Sequence, residues 1–186
     1  MVDQINALHA PRYGLGLYVD PQAEKAATAT ERKQIENLGR AGKRLMGFCR
    51  TNLFKRLESS GFSFIQSIDR HILRNQIYLY AIENGLDLPV GIQDAGLIDS
   101  DRVDEDAEGM QGETEDMLDG MIEAQDEVDG VPDTLARAKV IYAQYAGEFK
   151  RRFKWIRPAL FRASLAEHLV ADTQALTALL QVHGDW

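Results

Sequence analysis

The sequence is poor in the residues that build cross-links, metal sites and membrane spans. Its single cysteine, Cys49, excludes an internal disulfide and predicts a reducing, cytoplasmic compartment. The four histidines stand far apart and no cysteine pair accompanies them, so the ligand spacing of a zinc site is missing. No apolar run reaches the roughly 20 residues that cross a bilayer, and residues 1–10 lack a signal-peptide pattern. We therefore expect no membrane partner.

Motifs of nucleotide and covalent chemistry are also missing. Gly42-Lys43 has neither the earlier glycine nor the following Ser or Thr of a phosphate-binding loop. Residues 104–107 are spelled like the acidic box of a helicase, but no apolar strand precedes them. Cys49 lies on an apolar stripe and is expected to be a core residue. The sequence thus assigns no catalytic residue, no cofactor-binding residue and no metal ligand, and it disfavours a free-standing helical enzyme.

Charge divides the chain into three parts. Residues 1–97 hold 12 basic and 10 acidic residues, residues 98–129 hold 1 and 14, and residues 130–186 hold 8 and 5. The net charge of −8 therefore arises from one acidic insert between two mildly basic flanks. Such a composition favours a mobile, solvated insert. The overall acidity does not argue against a nucleic-acid partner for the flanks.

Apolar residues recur at helical spacing outside the insert. Thr28 and Glu31 have the spacing of a capping box, and the pattern that follows predicts a long helix up to a break at residues 59–61. A second helix is predicted from Phe62 to Asn84, where Gly85 provides a stop.

A third helix is predicted from Asp133 to the basic cluster at residues 150–152, with Leu135 on its buried face, and a fourth from Ser164. No strand alternation is found. We expect an all-α fold, a bundle of about four long helices with an N-terminal arm at residues 1–20. Its parts would be residues 1–97, the acidic insert at 98–130, and return helices at 131–186 that complete the same single domain.

Basic residues are concentrated on the two predicted N-terminal helices. The interval from Arg40 to Arg56 contains no acidic residue. Such a strip can line phosphates, but it is equally typical of a solvated helix face, or of a surface that meets the acidic insert or another domain. The candidate contact residues for nucleic acid or another domain are Arg40, Lys43, Arg44, Arg50, Lys55, Arg56, Arg70 and Arg74.

The stretch Arg50-Thr-Asn-Leu-Phe-Lys-Arg-Leu-Glu-Ser-Ser60, followed by Arg70-His71 and Leu73-Arg74-Asn75, resembles the region between the two RecA-like motor lobes of bacterial Swi/Snf-like helicases of superfamily 2. Further similarity lies in the short stretches at residues 10–13, 81–91, 153–156, 160–161 and 165–186.

This resemblance implies a segment of an ATP-driven nucleic-acid translocase. ATP and Mg²⁺ would be held by the motor lobes of the parent chain, and the segment itself would be non-catalytic. The implied partners are those lobes and duplex DNA. The alternative is a protein-interaction or scaffold module, in which the acidic insert binds a basic partner or shields the basic helix.

Overall fold

The computed structural model describes residues 1–91 and 134–183, except for the side chains of residues 40–44. The acidic insert, and with it the prediction of its mobility, lies outside the described residues. The described helices are α1 (Val2–Ala7), α2 (Pro21–Lys25), α3 (Ala29–Ser59), α4 (Gly61–Glu83), α5 (Thr134–Ala146) and α6 (Ser164–His183). Two strands, β1 (Leu88–Gly91) and β2 (Phe153–Ile156), accompany short 3₁₀ turns at Leu15–Tyr18, Lys150–Arg152 and Pro158–Leu160.

The ends of α3 and α4 follow from local hydrogen bonding. The Thr28 hydroxyl accepts from the Glu31 amide, and the Glu31 carboxylate accepts from the Thr28 amide, so the predicted capping box is confirmed. Ser60 ends α3, and its hydroxyl accepts from the amide of Ser63 in the first turn of α4. Gly85, at φ +64°, allows the chain to leave α4. The two longest helices therefore lie where the sequence placed them.

Helix α4 is central, because it packs against α3, α5 and α6. Its N-terminal half shares a core with Cys49 and Leu53 of α3, whereas its C-terminal half shares a core with Ile35. Opposite halves of α3 and α4 thus meet, which makes the pair antiparallel. Helices α4 and α6 are also antiparallel, because Leu176 shares a core with the start of α4 and Leu165 shares a core with its end.

Buried side chains form two clusters along this arrangement. The first, here called the N-terminal core, comprises Ile5, Leu8, Ala10, Cys49, Leu53, Phe64, Ile68, Ile72, Leu176 and Leu179. The second, here called the hairpin core, joins the 3₁₀ turn at Leu15–Tyr18, the C-terminal half of α4, α5, both strands and the start of α6. Buried Leu53, Ile68 and Ile72 confirm the apolar stripes predicted for α3 and α4.

The mostly helical fold predicted from the sequence is confirmed, and a small sheet accompanies the helices, since β1 and β2 form an antiparallel pair. Leu88 lies opposite Ile156, and Gly91 lies opposite Phe153. Each strand has only four residues, too short to show an alternating pattern in the sequence. Tertiary contacts hold the pair instead, since the Tyr78 hydroxyl donates to the Pro89 carbonyl.

Two details of the third helix also differ from the prediction. Helix α5 ends at Ala146, before the basic cluster, and residues 150–152 form a separate 3₁₀ turn. Gly147 follows the last helical residue, a position where glycine is common. Leu135 is exposed rather than buried, whereas Ala138 and Ile141 face the hairpin core.

Candidate nucleic-acid interface

An open depression lies between the C-terminal part of α3 and the N-terminal half of α4. Its volume is about 320 Å³ when its open solvent side is included. Arg70 and Arg74 are four residues apart on α4, so they lie one above the other on one helix face. Arg56 approaches from the neighbouring helix α3. The lining residues are Asn52, Leu53, Arg56, Ser67, Arg70, His71 and Arg74.

A fourth guanidinium group reaches the same histidine from the N-terminal arm. The Nη2 atom of Arg12 lies 3.0 Å from Nδ1 of His71, and the Nε atom of Arg12 donates to Oδ1 of Asn75 at 2.9 Å. Asn75 is buried on α4. His71 and Leu53 line both the open depression and a second one, in which Arg12 lies. His71 therefore borders both the depression that contains Arg12 and the depression that the three arginines line.

The charge around His71 is strongly positive. Burial lowers the pKa of His71 well below its usual value of 6.5, and the nearby guanidinium groups of Arg12, Arg74 and Arg56 lower it further. The imidazole is therefore neutral at neutral pH. Several arginines that converge on one uncharged donor-acceptor group form a positively charged surface suited to an anion.

The arm that carries Arg12 is fixed by side chains from two long helices. Asp172 of α6 is buried and accepts from the backbone amides of His9 and Ala10, at 2.8 and 2.7 Å. Arg50 of α3 donates to the Leu8 carbonyl. Ala10 has a φ of +50°, an uncommon conformation for a residue with a side chain. These bonds hold the arm just before Arg12, which positions the guanidinium at His71.

The structure brings together only some of the cations named from the sequence. Arg56, Arg70 and Arg74 line one depression. Lys55 is exposed on α3, and Arg50 is engaged with the arm. The side chains of Arg40, Lys43 and Arg44 lie outside the described residues, so their predicted role stays a prediction.

Arg12 was not among the predicted contact residues. It is about 60 residues away from His71 in the chain, and only the packing of the arm brings the two together. Its one sequence signal was its position in the stretch Ala10-Pro11-Arg12-Tyr13, which shares the family resemblance.

The described residues offer little sign of metal or membrane chemistry. No three His, Cys, Asp or Glu side chains within residues 1–91 and 134–183 are grouped so that they could hold a metal ion. His9 and His168 stack at a ring distance of 3.7 Å, and the Tyr18 hydroxyl lies 2.8 Å from Nδ1 of His168. None of the helices in the described ranges has the length and apolar content to cross a bilayer.

Comparison with known proteins adds no relative, since no protein-family model, no curated protein and no solved structure matches this chain.

Proposed function

We propose that this chain is the helical segment between the two motor lobes of a Swi/Snf-like helicase, and that it contacts duplex DNA through the depression between α3 and α4. The observation that carries the proposal is the convergence of Arg56, Arg70 and Arg74 on one open depression, with Arg12 behind His71. Arginine binds phosphate oxygens through paired N–H donors. Three arginines line the depression, and no carboxylate is among the described residues that line it.

The family resemblance and the depression coincide on the chain. The resembling stretch at residues 50–60 forms the last part of α3, and its continuation at residues 70–75 lies on α4. Both stretches supply lining residues of the depression. This coincidence links the family proposal to a specific surface.

In this proposal the segment supplies a contact surface and the motor lobes supply the chemistry. Helices α3 to α6 would form a bundle that links the lobes in a cytoplasmic enzyme, and ATP and Mg²⁺ would bind the lobes. Phosphoryl transfer requires a phosphate cradle, a metal-binding carboxylate and a stabilising cation held together. The isolated chain is therefore expected to show no DNA-stimulated ATP hydrolysis. A turnover that a single substitution in this chain abolishes would contradict the proposal.

Binding through phosphates has a measurable signature, since affinity falls linearly with salt on logarithmic axes with a slope of about −0.9 per phosphate contact. We expect weak duplex binding that depends little on sequence. The double variant Arg70→Gln/Arg74→Gln should weaken it and flatten the slope by about two units. The matched control is Lys150→Gln/Arg151→Gln, which removes the same charge from an exposed turn beside the hairpin core.

Fluorescence anisotropy of a labelled duplex at several salt concentrations measures both slopes. Equal losses of duplex affinity in the two double variants would show that binding depends only on net charge, and would contradict a defined interface. The coding sequence on each side of this segment tests the family proposal independently. A phosphate-binding loop upstream and a second motor lobe downstream are the expected neighbours.

The alternative function is a protein-interaction module, favoured by the contrast between the acidic insert and the cationic depression. In that case the 14 acidic residues of positions 98–129 compete with DNA or recruit a basic partner. Deletion of residues 99–127 distinguishes the two: a shortened chain that binds duplex more tightly supports the DNA-contact proposal, with the insert covering the DNA surface. A chain that binds no duplex with or without the insert would favour the interaction module.

A further inference from the structure

We infer that the depression contains a discrete site for one phosphate group, bound by the guanidinium groups of Arg56, Arg70 and Arg74 and by the Nε2–H of His71. The inference rests on the proposed function only in that both use the same depression. It names one phosphate group as the ligand of the cationic depression, and it adds the neutral His71 as a hydrogen-bond donor beside the arginines.

The donor follows from the chemistry of Arg12. A guanidinium group can only donate hydrogen bonds, so the Nδ1 atom of His71, 3.0 Å from Nη2 of Arg12, must accept. A neutral imidazole carries one proton, which is then on Nε2. Arg12 thus fixes the tautomer of His71, and its own orientation is fixed because its Nε donates to Oδ1 of Asn75.

The positive surroundings keep this arrangement in place. An imidazolium would lose the Nδ1 acceptor and would lie beside the charges of Arg12, Arg56 and Arg74, so the pKa of His71 is low and the neutral ring persists at neutral pH. A neutral Nε2–H can donate to an anion without a second proton on the ring. Arg12 is therefore a positioning residue, and the Nε2–H of His71 is a direct donor to the phosphate.

The remaining lining of the depression suits a small anion. No carboxylate is among the described residues that line it. Asp69, the nearest acidic residue along α4, pairs with Arg137 of α5 at 3.6 Å. The hydroxyl of Ser67 donates to the Ser63 carbonyl and is therefore not counted among the donors to the anion. The depression is small and open to solvent, which suits one phosphate group better than a larger cofactor.

The imidazole ¹⁵N spectrum of the full chain tests the site, using inorganic phosphate as the probe against sodium chloride at matched ionic strength. We expect His71 to show the Nε2–H tautomer before and after addition, with resonances that shift saturably. The other three histidines, His9, His168 and His183, are internal controls that should not respond. A His71 signal that does not saturate, or that follows ionic strength alone, would overturn the inference.

Variants separate the binding groups from the positioning group. Arg74→Gln should raise the phosphate concentration at half-saturation by about tenfold, because a charge-assisted hydrogen bond is lost, whereas Arg151→Gln should leave it unchanged. Arg12→Met removes every donor at this position and should populate the Nδ1–H tautomer of His71, whereas Arg12→Lys should keep the Nε2–H form. Thermal unfolding of each variant confirms that it is folded. An unchanged tautomer in Arg12→Met would overturn the role of Arg12.

A second titration, with a short DNA duplex in place of inorganic phosphate, separates this inference from the proposed function. Duplex that shifts the same His71 resonances, and is displaced by phosphate, shows that a backbone phosphate occupies the site. Duplex binding without any change at His71 would overturn the discrete site and leave the DNA-contact proposal standing. A saturable response to phosphate without duplex binding would support the site and contradict the DNA-contact proposal.

Discussion

The two cores of this molecule are held together by different chemistry. In the hairpin core, aromatic rings meet edge to face, as Tyr142 does with Tyr80 and Trp155, and tyrosine hydroxyls donate to backbone carbonyls. In the N-terminal core, aliphatic packing is joined by charged groups, Asp172 and Arg50, that bind the backbone of the arm. Charged side chains thus hold the N-terminal arm next to the cationic depression, whereas aromatic contacts stabilise the hairpin core.

The largest effect is expected in the aliphatic part of the N-terminal core. Leu53 is 2% exposed and lies between the two depressions. Leu53→Ala should lower the free energy of unfolding by about 2–5 kcal/mol, because it leaves a cavity. Exposed Val182 on α6 provides a control, Val182→Ala, with little effect. Matching urea midpoints for Leu53→Ala and the parent chain would contradict the assignment of this core.

Loss of the hydrogen bonds between Asp172 and the backbone of the arm should have the next largest effect on stability. Asp172→Asn keeps the shape of the side chain but replaces one carboxylate oxygen by a donor that faces a backbone N–H. Since hydrogen bonds to charged groups contribute about 1.5–3 kcal/mol, a loss of that order is expected in urea unfolding. The neighbouring exposed residue Gln174 offers a control in Gln174→Ala. A silent Asp172→Asn would mean that the arm is held by apolar contacts, as the hairpin core is.

A close backbone approach distinguishes two glycines on the hairpin side. A Cβ on Gly16 would lie 2.7 Å from the backbone nitrogen and Cα of Gly39, whereas a Cβ on Gly39 would meet nothing within 4 Å. Gly16→Ala should therefore destabilise by about 1–3 kcal/mol, and Gly39→Ala should stabilise by about 1 kcal/mol through helix propensity. Thermal unfolding of the two variants compares them directly, and the same sign for both would refute the close approach.

The smallest effect concerns an ion pair between α3 and the segment after β2. Arg157 bonds to Glu31 and lowers the pKa of that carboxyl from 4.5 to about 2, with a further contribution from the Thr28 amide. A depressed pKa stabilises the fold above about pH 4.5, and this contribution is lost as the pH falls toward 2. The free energy of unfolding of Glu31→Gln should lack this part of its pH dependence. The contribution is small because Arg157 is partly exposed to solvent. A pH profile identical to that of the parent would contradict the pairing.

Local signals in the sequence were enough for the long helices and not for the contacts between them. Thr28, Ser60 and Gly85 mark helix ends through bonds and dihedral angles within a few residues, so these ends were predictable. The strand pair joins residues more than 60 positions apart and depends on tyrosine anchors from α4 and α5. The same reason explains why Arg12 was missed, since a single arginine in an irregular arm has no periodicity.

The candidate site was predictable to the extent that it lies on helices. Arg70 and Arg74 share a helix face by spacing alone, but the sequence could not show which residues of α3 face them. The packing of α3 against α4 selects Arg56 for the depression, and it turns Arg50 toward the Leu8 carbonyl. Residues of one basic strip thus have separate roles, which follow from the crossing of the helices.

The most direct test of the central claim is an arginine Nε–Hε NMR spectrum of the chain during titration with a short duplex. Each guanidinium group reports its own contact. The account predicts that Arg56, Arg70 and Arg74 shift together and saturate, while Arg151 and Arg157, on the hairpin side, do not. Shifts spread evenly over all arginines, or confined to the hairpin side, would contradict the claim that DNA binds in the depression between α3 and α4.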